Sequence, residues 1–241
     1  MEFYKMFANY YNSIFPWAGS KVEFFAWLLT QSRVKNALDL GSATGELTCW
    51  LHNQGLFATG VDLSPDLVEL AKQECSAPFV LADISDYLEQ EPDHQYHLIT
   101  CIGNTLPHLE PEKIQRLLKQ AGKWLAPGGL LVIQTVNYHR ILRLHPPGLP
   151  LIKVPEEKVT FTRQYDYPTE DLVQFTAILE TPQGKDQQSV MLHPVTAADV
   201  LSMLPPKLTP THQFGSFDKK PFDPEESPAW ILVAEKMAHG N

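Results

Sequence analysis

The residues of this chain best suited to chemistry are glycines and carboxylates at the ends of short apolar runs. Leu38-Asp39-Leu40-Gly41-Ser42-Ala43-Thr44-Gly45-Glu46 places glycines where a strand turns into a helix. Without a Cβ, backbone at such a turn can approach a ligand closely and hold a cofactor tail. Twenty-one residues after Gly41, the run Gly60-Val61-Asp62 ends on a carboxylate. That is the position at which doubly wound folds hydrogen-bond a ribose diol. A third run, Val80-Leu81-Ala82-Asp83-Ile84, offers a second carboxylate. It can accept a hydrogen bond from an exocyclic amine such as that of adenine, with Ile84 packed on the ring and Leu63 beside the sugar. For Gly41 and Gly45 alone an ordinary helix-entry turn would serve as explanation, and for Asp62 a helix cap. The three features in order are far more specific than any one of them.

The turn Gly41-Ser42-Ala43-Thr44-Gly45 lacks the second glycine and the interval of the dinucleotide fingerprint G-x-G-x-x-G. Instead, the sequence resembles the class I S-adenosylmethionine-dependent methyltransferases, whose first motif reads acidic-x-Gly-x-Gly-x-Gly and whose next two strands end on acids. Asp39, Gly41, Gly45, Asp62 and Asp83 match, and Ala43 stands in place of the middle glycine. If position 43 needs a positive φ, alanine there costs on the order of 1 kcal/mol. The resemblance covers residues 4–136 and 230–235. It implies S-adenosylmethionine as cofactor, held by Tyr4, Asp39, Gly41, Ser42, Ala43, Gly45, Asp62, Leu63, Asp83, Ile84, Cys101 and Gly103.

Three further segments are similar to glycine/sarcosine-type small-molecule N-methyltransferases: the aromatic start from Tyr4 to Tyr11, the loop from Cys101 to Leu109, and Asn137-Tyr138-His139-Arg140. The resemblance implies that Tyr11, Asn104, Asn137 and Arg140 contact the acceptor and that His108, Tyr138 and His139 act in catalysis. Methyl transfer is an in-line displacement in which the protein aligns donor and acceptor and excludes water. An amine must be neutral to attack, so a nearby base such as His108 or His139 helps a protonated acceptor. Arg140, Arg143 or Arg163 offers a planar guanidinium to a carboxylate. The expected function is methyl transfer to an N or O nucleophile of a small molecule. Its rivals are a non-catalytic module that binds S-adenosylmethionine or S-adenosylhomocysteine, and a nicotinamide-dependent oxidoreductase on the same architecture.

These residues need a sheet to position them. Residues 37–40, 57–62, 79–82, 97–101 and 130–136 read as strands, alternating with helices at 46–53, 65–74 and 111–125. Such a series predicts an α/β fold: a Rossmann-like, doubly wound, mostly parallel seven-stranded sheet. Residues 211–217 and 230–235 close it with an antiparallel last strand, after a capped helix at 196–204. Residues 159–167, 172–180 and 187–192 read as three antiparallel strands of a small inserted sheet, after a Pro-rich stretch from 143 to 155. The expected organisation is an N-terminal helical lid (1–33), a core (34–142 and 194–241) and an inserted antiparallel lid (143–193).

Composition bounds the rest. The chain has 241 residues, 44% hydrophobic and 20% charged, with a formal net charge of −9. That charge disfavours nucleic acid as a partner, and no apolar run approaches a membrane span. Three cysteines without metal-ligand spacing give no sign of a disulfide framework or a metal site. The expectation is a cytoplasmic protein without a metal, working on a small-molecule acceptor, with a homodimer possible.

Overall fold

The computed structural model describes residues 2–90, 92 and 94–237, with side chains from residue 7 onward. Two helices, α1 (Glu2–Ile14) and α2 (Ser20–Gln31), precede the alternating part. There, β1 (Asn36–Leu40), α3 (Glu46–Asn53), β2 (Phe57–Asp62), α4 (Pro65–Glu74), β3 (Phe79–Leu81), α5 (Ile84–Glu89), β4 (Tyr96–Cys101), α6 (Pro111–Trp124) and β5 (Leu125–Val136) follow in turn. Next come α7 (Tyr138–Leu144) and the hairpin strands β6 (Gly148–Val154), β7 (Val159–Thr169), β8 (Leu172–Thr181) and β9 (Gly184–Leu192). The chain closes with α8 (Ala197–Met203), β10 (Leu208–Phe214) and β11 (Ala229–Lys236).

The main sheet has the order β10-β11-β5-β4-β1-β2-β3. All of its pairs are parallel except those of β11, which runs antiparallel to β5 and β10. Because β2 and β3 lie on one side of β1 while β4 and β5 lie on the other, the chain reverses its winding between β1 and β4. A crevice opens at the carboxyl ends of strands at such a point. Apolar runs such as Leu130-Leu131-Val132-Ile133 are buried on both faces, as a covered parallel sheet requires. One layer of core joins the sheet to α5, α6 and α8, and the other joins it to α2 and α3.

The inserted sheet has four strands, β6-β7-β8-β9, all antiparallel. The sequence reading had three; β6 lies in the Pro-rich stretch, where proline is tolerated because the strand is at an edge. This sheet is fastened twice. Phe7 and Ile14 of α1 pack on Val159, Phe161, Ala177 and Leu179, with the Phe7 and Phe161 rings 5.2 Å apart. Tyr138 and Ile141 of α7 pack on Tyr165, Val173 and Leu192.

A second correction concerns the cysteines. Cys49 and Cys75 form a disulfide across 26 positions of sequence, which their spacing in the chain did not reveal because α3 and α4 become neighbours only in the folded sheet. Cys101 is free and buried. No helix among the described residues is long and apolar enough to cross a membrane.

Phe161 links α1 to the inserted sheet through its buried ring, so Phe161→Ala is expected to cost about 3–5 kcal/mol. It should also speed hydrogen exchange in α1 more than in α6, measurable by denaturant unfolding and exchange mass spectrometry.

Candidate active site

The crevice is lined first by the turn between β1 and α3. Gly41, Ala43 and Gly45 all have positive φ, at 77, 48 and 80 degrees. Gly41 and Gly45 are required by packing as well as by conformation. A Cβ at position 41 would come to 2.5 Å from the Thr105 hydroxyl oxygen, and one at position 45 to 2.6 Å from the Phe79 ring. Ala43 therefore sits in a conformation that L side chains disfavour. What holds it there is Asp62: the Ala43 N–H donates to Asp62 Oδ2 at 2.8 Å, and the Ser64 N–H donates to Oδ1 at 2.9 Å. The hydroxyl of Ser42 is buried without a partner and rests against Gly60.

Beneath this turn, Asp39 is buried, with a partner on each oxygen. Its oxygens accept the hydroxyls of Thr48 at 2.9 Å and Thr100 at 2.7 Å, tying β1 to α3 and β4. Burial raises its carboxyl to about 6 despite those bonds. Asp62 is also raised, by burial first, against the backbone N–H bonds that favour its charge. Asp83 caps α5 through Ser85 and Asp86. Burial works to raise it, but those hydrogen bonds and Lys113 at 3.8 Å prevail and hold it below the usual carboxylate range.

Tyr11 of α1 stands over the turn. Burial and the charges of Asp62, Glu46 and Asp39 push its hydroxyl up, so it stays protonated and able to donate. The same helix is tied to the turn by the Thr44 hydroxyl, which donates to Asn12 Oδ1, and in the link that follows the helix the Trp17 N–H donates to Glu46 at the start of α3. Across the crevice, His108 keeps an exposed edge. It is walled in closely enough that burial lowers its imidazolium, while Asp62 pulls the other way. The residues 106–108 that carry it are held to the end of the inserted sheet by the His193 N–H donating to the Pro107 carbonyl. Between them runs the loop after β4, fixed to β5 by Gln134, whose side chain accepts the Gly103 N–H at 2.8 Å.

Sequence reasoning missed several of these residues. Glu46 was visible as an acid opening a helix, Gln134 as the polar residue in an apolar strand, and Thr105 only through its contact with Gly41.

The donor set fits a nucleoside cofactor. Asp62 keeps acceptor capacity for a diol beyond its backbone donors, as a carboxylate has about four lone-pair sites, and Leu63 beside it is 67% exposed, an apolar surface free to meet a base. Residues 37–129 match the family model described as a methyltransferase domain. This segment, which carries the glycine turn and Asp62, is similar to a methyltransferase domain.

A ubiquinone biosynthesis O-methyltransferase of Coxiella burnetii is 32% identical over 108 residues, 43% of this chain and 44% of the relative. Glycine N-methyltransferase of Rattus norvegicus is 29% identical over 148 residues, 52% of this chain and 50% of the relative. The chain thus aligns with about half the length of these curated relatives. A methyltransferase structure from Clostridium acetobutylicum superposes with a TM-score of 0.79 at 16% identity, covering 99% of this chain and 100% of that one. It shares the fold.

The methyltransferase fold brings Gly41, Ala43, Gly45, Asp62, Leu63, Tyr11 and His108 to the crevice, with Gly103 and Asn104 on its rim. Several residues expected there are used otherwise. Asn137 caps α7 and donates to the Pro224 and Ser227 carbonyls, leaving no donor for an acceptor molecule. His139 pairs with Glu225 at 2.9 Å, beside Arg143, away from the crevice. Tyr138 is buried, with its hydroxyl accepting from Asn104 at 3.1 Å. Burial pushes that phenol up, so it cannot serve as a base. Ile84 and Cys101 lie in the core, where burial first and then Asp39 push the Cys101 thiol up to about 12. Arg163 donates to the Pro150 carbonyl at 2.8 Å, and Arg140 is half-buried. The side chain of Tyr4 lies outside the described residues.

Ala43→Gly should relieve the positive φ and stabilise the protein by about 1 kcal/mol, read from the denaturation midpoint. Asp39 binds its proton more tightly folded than unfolded, so its ionisation destabilises the fold as pH rises from about 4 to about 6. Asp39→Asn should flatten that stretch of the stability profile.

Proposed function

We propose that this protein transfers the methyl group of S-adenosylmethionine to an N or O nucleophile of a small molecule. The observation that carries the reading is Asp62 at the carboxyl end of β2, bonded to the glycine turn and near enough to Tyr11 and His108 for its charge to act on both. When bound, the cofactor supplies a methyl group made electrophilic by its sulfonium. Asp62 holds the ribose diol, Asp83 accepts from the adenine amine, and the turn from Gly41 to Gly45 supports the amino-acid tail.

Residues 1–33 and 143–193 act as a lid on the core formed by 34–142 and 194–241. Shutting the crevice excludes water and aligns the two reactants, the main contribution a protein makes to a displacement of this kind. His108 is the candidate base. Its depressed imidazolium leaves it neutral at physiological pH, ready to take a proton from an ammonium or hydroxyl acceptor. Relatives named for an amine acceptor, glycine, and for O-methylation in ubiquinone biosynthesis support carboxylated amines and phenols as the acceptors to try first.

Incubation with methyl-labelled S-adenosylmethionine and a panel of such amines and phenols should transfer label to at least one of them. Donor binding with no transfer to any acceptor would contradict the catalytic reading. His108→Ala should lower kcat/KM by about 10²-fold or more. For the wild type, kcat/KM should be level at neutral and alkaline pH and fall on acidification below the ordinary histidine value of 6.5, as His108 gains its proton.

A further inference from the structure

We propose that the Cys49–Cys75 disulfide is a redox-sensitive brace of the glycine turn, so that binding of the methyl donor follows the thiol–disulfide state of its surroundings. This rests on the cofactor site described above. Cys49 lies one turn into α3, and its N–H donates to the Gly45 carbonyl at 2.7 Å. Cys75 caps the far end of α4, the helix that follows Asp62. The bridge therefore joins the two helices whose leading ends carry the turn and the diol-binding carboxylate. The Ala43–Asp62 hydrogen bond closes the same unit from the other side.

Contact between bridge and turn is continuous. Cys49 packs with Val68, Ala71, Ala77 and Phe79 in a small separate cluster. The turn rests directly on that cluster: a Cβ on Gly45 would come to 2.6 Å from the Phe79 ring and 3.0 Å from the Ala71 Cβ, and one on Gly60 would also strike Phe79 at 2.6 Å. There is no slack in which a shift of α3 against α4 could be absorbed before it reaches Gly45.

The two sulfurs differ in access. Cys49 is 9% exposed, whereas Cys75 is half-buried at the end of its helix. A thiolate of a dithiol reductant attacks the Cys75 sulfur, the S–S bond breaks, and Cys49 leaves as a thiolate that takes a proton. The second thiol of the reductant then attacks the mixed disulfide, releasing Cys75 as a thiol and the reductant as its own disulfide. The reverse exchange, with an oxidised low-molecular-weight disulfide as acceptor of the two electrons, closes the bridge again.

Wild-type protein poised with reduced or oxidised dithiothreitol, its state verified by intact mass and thiol labelling, tests the proposal. Amide hydrogen exchange across residues 41–49 without cofactor should accelerate on reduction and recover on reoxidation. The Kd for S-adenosylmethionine should rise at least about fivefold on reduction, the lower end of ordinary coupling between sites. A Cys49→Ala/Cys75→Ala protein should sit at the reduced values and ignore dithiothreitol. Exchange and Kd that stay unchanged between verified redox states would overturn the proposal and leave the bridge a stabilising staple. Exchange that responds while S-adenosylmethionine binds in neither state would overturn the cofactor reading instead, with the coupling intact.

Discussion

One carboxylate organises the crevice. Asp62 ends β2 and accepts the N–H of Ala43 from the neighbouring turn and that of Ser64 from the start of the next helix. Without those bonds, Ala43 would have nothing to hold its positive φ, and the turn would lose its registration against the adjacent strand. Burial works against the charge of Asp62 while the backbone donors favour it. A group balanced in this way has gained its partners at the cost of solvent. A ribose diol at the same spot, as proposed, would continue the pattern of neutral donors satisfying a buried anion.

The remaining elements serve to enclose that carboxylate. Asp39 ties β1 to α3 and β4 from below through two threonine hydroxyls, and Gln134 pins the opposite loop. From above, α1 is bonded to the turn at Thr44 and packed on the inserted sheet by aromatic contacts. The inserted sheet and the N-terminal helix, far apart in the chain, thereby make one roof, anchored at its other edge by α7. Tyr11 comes from α1, and residues 106–108 with His108 are bonded to His193 at the end of the inserted sheet, so both residues are placed by the roof as well as by the core.

The central architecture was legible in the sequence because its signals are local. Glycines follow a buried run, acids end the next two, and Ser64-Pro65 opens α4 with a cap and a proline at its first position. What was not legible depends on distant partners or weak local signals. Residues 137–140 are expected at the acceptor from their resemblance to small-molecule N-methyltransferases. Asn137 is in fact a helix cap, a role its type allows but which only the carbonyls of 224 and 227 make exclusive. Strand β6 was hidden by prolines that an edge position tolerates, and α5 by its short length. Asp39 shows the same limit at the site: its type and place in the motif do not reveal that it is buried with a threonine hydroxyl on each oxygen.

The central claim is that Asp62 and the turn bonded to it hold S-adenosylmethionine. Calorimetric titration of the wild type and of Asp62→Ala with S-adenosylmethionine, S-adenosylhomocysteine and nicotinamide dinucleotides tests it most directly. The account predicts saturable binding of the first two ligands, none of the dinucleotides, and affinity weakened at least about tenfold by the substitution, the loss of a hydrogen bond to a charged group. A folded wild type that binds neither adenosyl ligand, or an Asp62→Ala protein that binds them as tightly as the wild type, would contradict it.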